Sequence, residues 1–171
     1  MESDRPAWLR AIPDGLVIAL ARVGPVGRIK PAPGTWGSVA GMLYFLLIFH
    51  RTDWITTILG SLVAAMVAVV ACGEAEHRLG KQDPGEIVLD EAVAIPLCFL
   101  GWTTFLDVAP AWVIWLAGFA LFRLFDVTKP LGIAALQKLP GGWGVVIDDL
   151  AAALLTCATL HAAFFAWTAW S

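Results

Sequence analysis

Long apolar runs broken by short polar punctuation set the plan of this chain. Five stretches carry no Asp, Glu, Lys or Arg: 31–49, 54–73, 92–106, 108–122 and 150–170. The second, WITTILGSLVAAMVAVVACG, and the fifth, LAAALLTCATLHAAFFAWTAW, reach the roughly 20 residues that cross a bilayer as a helix. The first opens on PAPGTWGS, whose prolines and glycines predict a loop before its helix starts. The third and fourth are short, and reach spanning length only by drawing in the charged turns at 86–91 and 123–126. Backbone in lipid must satisfy its own hydrogen bonds, so helices are the expected form. The pattern predicts an all-α, multi-span integral membrane protein, one domain over 1–171, with spans at about 36–50, 54–73, 87–106, 108–125 and 147–170. Residues 14–24 (DGLVIALARVG) are too short to cross and predict an interfacial or re-entrant helix.

Composition agrees with the pattern. Of 171 residues, 59% are hydrophobic and 15% charged, whereas soluble domains average about 45–50% and about 25%. Mean hydropathy is +0.77. The net charge of −3 and the lack of a like-charged tail argue against a nucleic-acid partner. Cys72, Cys98 and Cys157 stand singly in apolar stretches, fit no zinc spacing and cannot form a closed disulfide set. The N-terminus, MESDRPAWLRAIPDG, lacks the apolar core of a cleavable signal peptide.

Charge orients the spans. Five crossings put the N-terminus and the long loops, 22–37, 74–91 and 123–149, on one side. That side holds Arg5, Arg10, Arg22, Arg28, Lys30, Arg78, Lys81, Arg123, Lys129 and Lys138, while only Arg51 falls on the other. The positive-inside rule makes the long-loop side cytoplasmic. The expected location is the cytoplasmic membrane.

The same side gathers acids: Asp83, Glu86, Asp90 and Glu91 in the second long loop, and Asp126, Asp148 and Asp149 in the third. If 86–106 is one helix, Glu86 and Asp90 share a face. In FRLFDVTKP, Arg123, Asp126 and Lys129 recur every third residue. Carboxylates at a helix start are stabilised by its macrodipole, by about 0.3–1 kcal/mol when exposed. That accounts for one acid per helix, not for pairs backed by a third carboxylate beside membrane spans. An all-oxygen cluster suits Mg²⁺, which completes its shell with water and substrate phosphate. GRIKPAPGTWGS offers Arg28, Lys30, Thr35 and Ser38 around glycines, and LPGGWGVVIDD offers Gly141, Gly142 and Gly144 before a helix. Both suit a phosphate ligand.

One alternative is set aside. Cys72 and Arg78 form C-x5-R, the spacing of cysteine-dependent phosphatases, but Glu74 and Glu76 between them would repel phosphate and oppose a thiolate.

KPAPGTWGS, DPGEIVLDE, FRLFDVTKP and GGWGVVIDD, in that order over about residues 24–152, resemble the phosphatidylglycerophosphatase A family. The resemblance implies a helical, Mg²⁺-dependent membrane phosphatase that converts phosphatidylglycerophosphate to phosphatidylglycerol, with its active site at the cytoplasmic face. It places the family's acidic positions on Asp83, Asp90, Glu91, Asp126, Asp148 and Asp149, and its basic ones on Arg123 and Lys129. The expected metal ligands are Asp90, Glu91, Asp126, Asp148 and Asp149. The expected catalytic set is Asp90, Glu91, Asp126, Asp149, Arg123 and Lys129, and Lys30, Thr35, Ser38, Gly141 and Gly142 join the last two in binding substrate. The family often has a polar residue before the GG pair, where this chain has Pro140. Other readings are a phosphatase of another lipid phosphate such as phosphatidate, and a non-catalytic Mg²⁺-binding membrane protein. Transport would need acids in mid-span or on both faces, and spans two to five are uncharged through their middles.

Overall fold

The computed structural model describes residues 6–170; Arg5, one of the cations counted above, lies outside them. In chain order the helices are α1 (Ala7–Arg10), α2 (Asp14–Ala21), α3 (Pro33–Tyr44), α4 (Trp54–Leu79), α5 (Leu89–Cys98), α6 (Ala111–Thr128) and α7 (Gly142–Trp170). One π-helical turn, Phe45–Phe49, extends α3, and 3-10 segments occupy Val26–Arg28, Trp102–Asp107 and Pro130–Lys138. No strand occurs among the described residues.

Helices α4, α6 and α7 are long and apolar enough to cross a membrane, and the chain is a membrane protein; Pro33–Phe49 is apolar but shorter. Helix α4 starts and stops by local rules. Asp53 caps it by accepting from Ile55 N–H at 2.9 Å and Thr56 N–H at 3.0 Å. Gly80, at φ 63°, ends it in the left-handed region. The bundle puts the starts of α3, α5 and α7 with the ends of α4 and α6, since Glu91 packs on Gly34, Arg123 reaches Glu91, and Gly142 abuts Gly73. Trp8, Trp36 and Trp143 are exposed toward this end and Trp54, Trp112, Trp167 and Trp170 toward the other, as in membrane-interface belts.

The expected single helix over 87–106 does not form. At ten residues α5 is about 15 Å long and is not itself a span. Pro96 inside it cannot donate to the Ala92 carbonyl. Gly101, at φ 68°, then turns the chain into the 3-10 segment. Backbone of this kind is tolerated at membrane depth only when protein covers it. Here it is covered, because eight of the ten α5 residues are buried beneath α3, α4 and α7. The α3 face that covers it carries Gly34, Gly37 and Gly41. A Cβ at Gly41 would lie 2.8 Å from the Ala92 oxygen, so glycine admits the backbone to the carbonyl that Pro96 leaves unpaired. At the far end Phe45 stacks on Phe99, ring centroids 4.7 Å apart, and Trp102 and Phe105 join the same core.

A candidate active site at the acid end of the bundle

Three helices and one turn bring the acids together. Helix α5 presents Asp90 and Glu91 in its first turn, and α6 presents Arg123 and Asp126 near its end. Lys129 caps α6 with φ 44°. Helix α7 begins at Gly142, earlier than expected, so Asp148 and Asp149 lie nearly two turns inside it. The macrodipole acts only within the first turn. It therefore cannot explain the α7 pair.

Asp83, Asp90, Glu91, Asp126, Asp148, Asp149 and Lys129 line one cavity of about 170 Å³ with Gly34 and Gly85. At about 30 Å³ per water, it has room for a hydrated ion or a phosphate group, and for little more. Arg123 Nη1 lies 2.6 Å from Asp126 Oδ2 and 3.6 Å from Glu91 Oε1. It also donates to Ser38 Oγ at 3.3 Å, and Ser38 donates to the Gly34 carbonyl at 3.0 Å. Lys129 Nζ pairs with Asp148 and stands 4.0 Å from Asp126 Oδ1. Among the described residues Asp90 and Asp149 have no ion pair, though both are buried.

Six carboxylates thus face two cations. Two like charges about 4 Å apart repel by about 4 kcal/mol at an effective dielectric of 20, so the excess must bind protons or a cation. Burial first, then the Asp126 carboxylate, pushes Glu91 up to about 8, against the pull of Arg123. Burial and then Glu91 hold Asp90 well above the carboxylate range. Two buried oxygens, Glu91 Oε2 and Asp148 Oδ1, have no hydrogen-bond partner. Glu91 lies against Gly34 and Gly37, where a Cβ on Gly37 would stand 2.8 Å from Oε2.

These residues fit a hard divalent cation. The donors are all oxygen, the charge excess is negative, and two buried acceptors are unmatched. Among the described residues no three of them stand in a ready coordinating array, and Lys129 and Arg123 are paired with Asp148 and Asp126.

Other expected site residues lie elsewhere. Lys30 lines a separate outer cavity, and Gly141 a third one with His77 and Lys81. Gly142 packs on α4, where a Cβ would collide with the Val69 carbonyl, so its missing side chain serves helix packing. Ser38 is buried against Arg123 and does not line the acid cavity. Thr35, partly buried, does not line it either. Glu86 precedes α5 and pairs with Arg22 at 2.5 Å, so it shares no helical face with Asp90. The C-x5-R alternative fails in space: Cys72 is fully buried, and Arg78 is held by Asp14, Glu74 and two backbone carbonyls.

Residue-by-residue reading left the lip position of Asp83 unassigned. Asp83 adopts φ 44°, rare outside glycine, and lines all three polar cavities. Its turn was signalled by DPG; its place between cavities was not.

A family model described as Phosphatidylglycerophosphatase A matches residues 19–164. A Haemophilus influenzae protein named Phosphatidylglycerophosphatase A is 34% identical over 75% of this chain and 76% of its own length. A Bacteroides thetaiotaomicron protein named "Putative phosphatidylinositol-3-phosphatase" is 36% identical over 71% of this chain and 76% of its own. An Escherichia coli protein, again named Phosphatidylglycerophosphatase A, is 29% identical over 83% of this chain and 80% of its own. No solved structure matches the chain.

Proposed function

The chain belongs to the phosphatidylglycerophosphatase A family, and from that premise we propose that it hydrolyses phosphatidylglycerophosphate to phosphatidylglycerol and phosphate, with Mg²⁺, at the cytoplasmic face of the cell membrane. One observation carries the site: acids from α5, α6, α7 and the Asp83 turn share one small cavity with Lys129, with Arg123 ion-paired to two of them. The cationic loops at the same end support the orientation. A lipid phosphomonoester carries its phosphate just above the acyl region, the level expected of polar helix ends in a membrane protein.

Asp90, Glu91, Asp126, Asp148 and Asp149 are the residues that would hold Mg²⁺, with Glu91 Oε2 and Asp148 Oδ1 the oxygens now lacking partners. Bound there, the ion supplies positive charge for the phosphoryl oxygens and a water of lowered pKa. Arg123 and Lys129 orient the phosphate and neutralise the charge that grows on its equatorial oxygens. Their present partners, Asp126, Glu91 and Asp148, keep both cations aimed at the cavity until substrate arrives. A carboxylate of the cluster left outside the metal shell takes the proton of the attacking water. Ser38 and the Gly34–Gly37 face fix Arg123 and Glu91 from behind.

A second reading keeps the chemistry and changes the lipid, since the Bacteroides relative is named for a phosphoinositide. Phosphate release by the purified protein from phosphatidylglycerophosphate, phosphatidate and phosphatidylinositol 3-phosphate, with and without Mg²⁺, decides both questions. Release that ignores Mg²⁺, or that favours another lipid, sinks the corresponding half of the proposal.

A further inference from the structure

The acid cavity has a neighbour of opposite character. Asp83 and Gly85 on its lip also line an outer cavity of about 850 Å³. Arg28, Lys30 and Lys81 line that outer cavity, and none of them forms an ion pair among the described residues. Of its two carboxylates, Glu86 is held by Arg22, and Asp83 lies on the shared lip, accepting from Gln137 at 3.3 Å. Three unpaired cations around one hollow raise a positive potential that an anion would relieve. Leu16, Leu20 and Ile29 are exposed on the segment that carries Arg28, as suits a surface at the lipid headgroup level. A Cβ on Gly85 would meet no neighbouring atom, so the lip shared by the two cavities is open at this residue.

We infer that this outer cavity is a second phosphate subsite, in which Arg28, Lys30 and Lys81 hold the phosphodiester joining the headgroup to diacylglycerol. The inference rests on the lipid phosphomonoester reading above and deepens it. Phosphatidylglycerophosphate carries two phosphates separated by one glycerol. Its terminal monoester enters the acid cavity while the diester lies across the Asp83–Gly85 lip among the cations. Phosphatidate carries a monoester alone and leaves the outer subsite empty. The subsite therefore selects lipids with a phosphodiester between the reacting phosphate and the acyl chains. No bond changes there; the cations bind and position.

The test compares the full-length protein with an Arg28→Ala/Lys81→Ala double variant in mixed micelles of uncharged detergent at saturating Mg²⁺. The preference in kcat/KM for phosphatidylglycerophosphate over phosphatidate should fall tenfold or more, through KM. Glycerophosphoglycerol, a diester without a monoester, should inhibit the parent competitively and lose tenfold in potency against the variant. Inorganic phosphate, which fits the acid cavity alone, should change less than twofold. Arg28→Lys should restore most of the preference, which a merely structural role for Arg28 would not require. Equal losses on both lipids, an unchanged preference, or an unchanged response to glycerophosphoglycerol would each overturn the subsite. If the parent fails to hydrolyse phosphatidylglycerophosphate, the functional reading falls and takes the subsite with it. If it hydrolyses that lipid and the variant keeps the preference, only the subsite falls.

Discussion

Two ionic clusters sit at the same end of this bundle, one around buried Arg78 and Glu74 with an exposed Asp14, and they are built on opposite principles. Around Arg78, each charge is answered: the guanidinium reaches Asp14 and Glu74, both at 2.7 Å, and the carbonyls of Ile12 and Leu9 at 2.7 and 2.8 Å. It staples the α1–α2 segment to α4. Around Arg123 and Lys129, acids outnumber cations, two oxygens lack partners and a cavity stays open. A closed network holds a fold together. One left in deficit costs stability and keeps the capacity to bind a cation and an anion.

Mutation should separate the two at once. The largest effect is expected at Glu91→Gln, which removes one charge from the deficit cluster and preserves shape. Phosphate release should fall by about a thousandfold, on the scale of losing a principal electrostatic group. Helical content should persist. Turnover within tenfold of the parent would remove Glu91 from the site.

Arg78→Ala should show the converse. Breaking the closed network is expected to cost about 3 kcal/mol, or roughly 6–12 °C in melting temperature for a chain of this size. Activity per folded molecule should stay within a few-fold. An Arg78→Ala protein that melts normally but does not turn over would make the staple part of the chemistry.

The next contrast is in pH. Glu91 titrates near 4.5 in an unfolded chain and at about 8 in the folded one. Between those values the folded state binds more protons, so the Glu91 contribution to stability without Mg²⁺ should fall as pH rises from 4.5 and level off above about 8. Glu91→Gln should make the overall decline shallower, the share of Asp90 remaining, and melt higher than the parent at pH 8.5 in chelator. Mg²⁺, which competes with the same protons, should bind more tightly as pH rises through about 8 and release protons on binding. Thermal scans against pH and calorimetry in two buffers measure both. Mg²⁺ affinity that is flat across this range would break the link between the deficit and the metal.

The smallest effect is expected at Cys72→Ser. The thiol is fully buried in α4 and belongs to neither cluster. Activity should stay within twofold by the same phosphate assay, and a dead variant would revive the C-x5-R alternative.

Helix type, the apolar spans and the sidedness of charge were legible in the sequence because each depends on local periodicity or on simple counting. The α4 span could be read from its start after Asp53, though the helix runs past the expected end at 73 to Leu79 and the Gly80 cap. The four ordered motifs were legible too, and their acids other than Glu86 meet Lys129 at the cavity, with Arg123 ion-paired to two of them. What misled was a rule applied without neighbours. Residues 87–106 look like one span, yet Pro96 and Gly101 break the helix, and the packing of α3, α4 and α7 makes that break tolerable. Gly142 looks like a phosphate cradle, yet the Val69 carbonyl of α4 needs its missing Cβ.

By itself, then, the sequence determined a helical membrane chain with acids and cations gathered at one face, and a family resemblance that the comparisons bear out. Only tertiary structure decided that Asp90 and Glu91 share a cavity with Asp126, Asp148 and Asp149. It also left Asp148 beyond the reach of a helix-cap explanation and placed Arg28, Lys30 and Lys81 around a hollow next door. The reason is one of range. Capping and hydropathy act over a few residues along the chain, whereas like charges are brought together only when packed helices hold them, and that packing was set by glycines whose purpose shows only in contact.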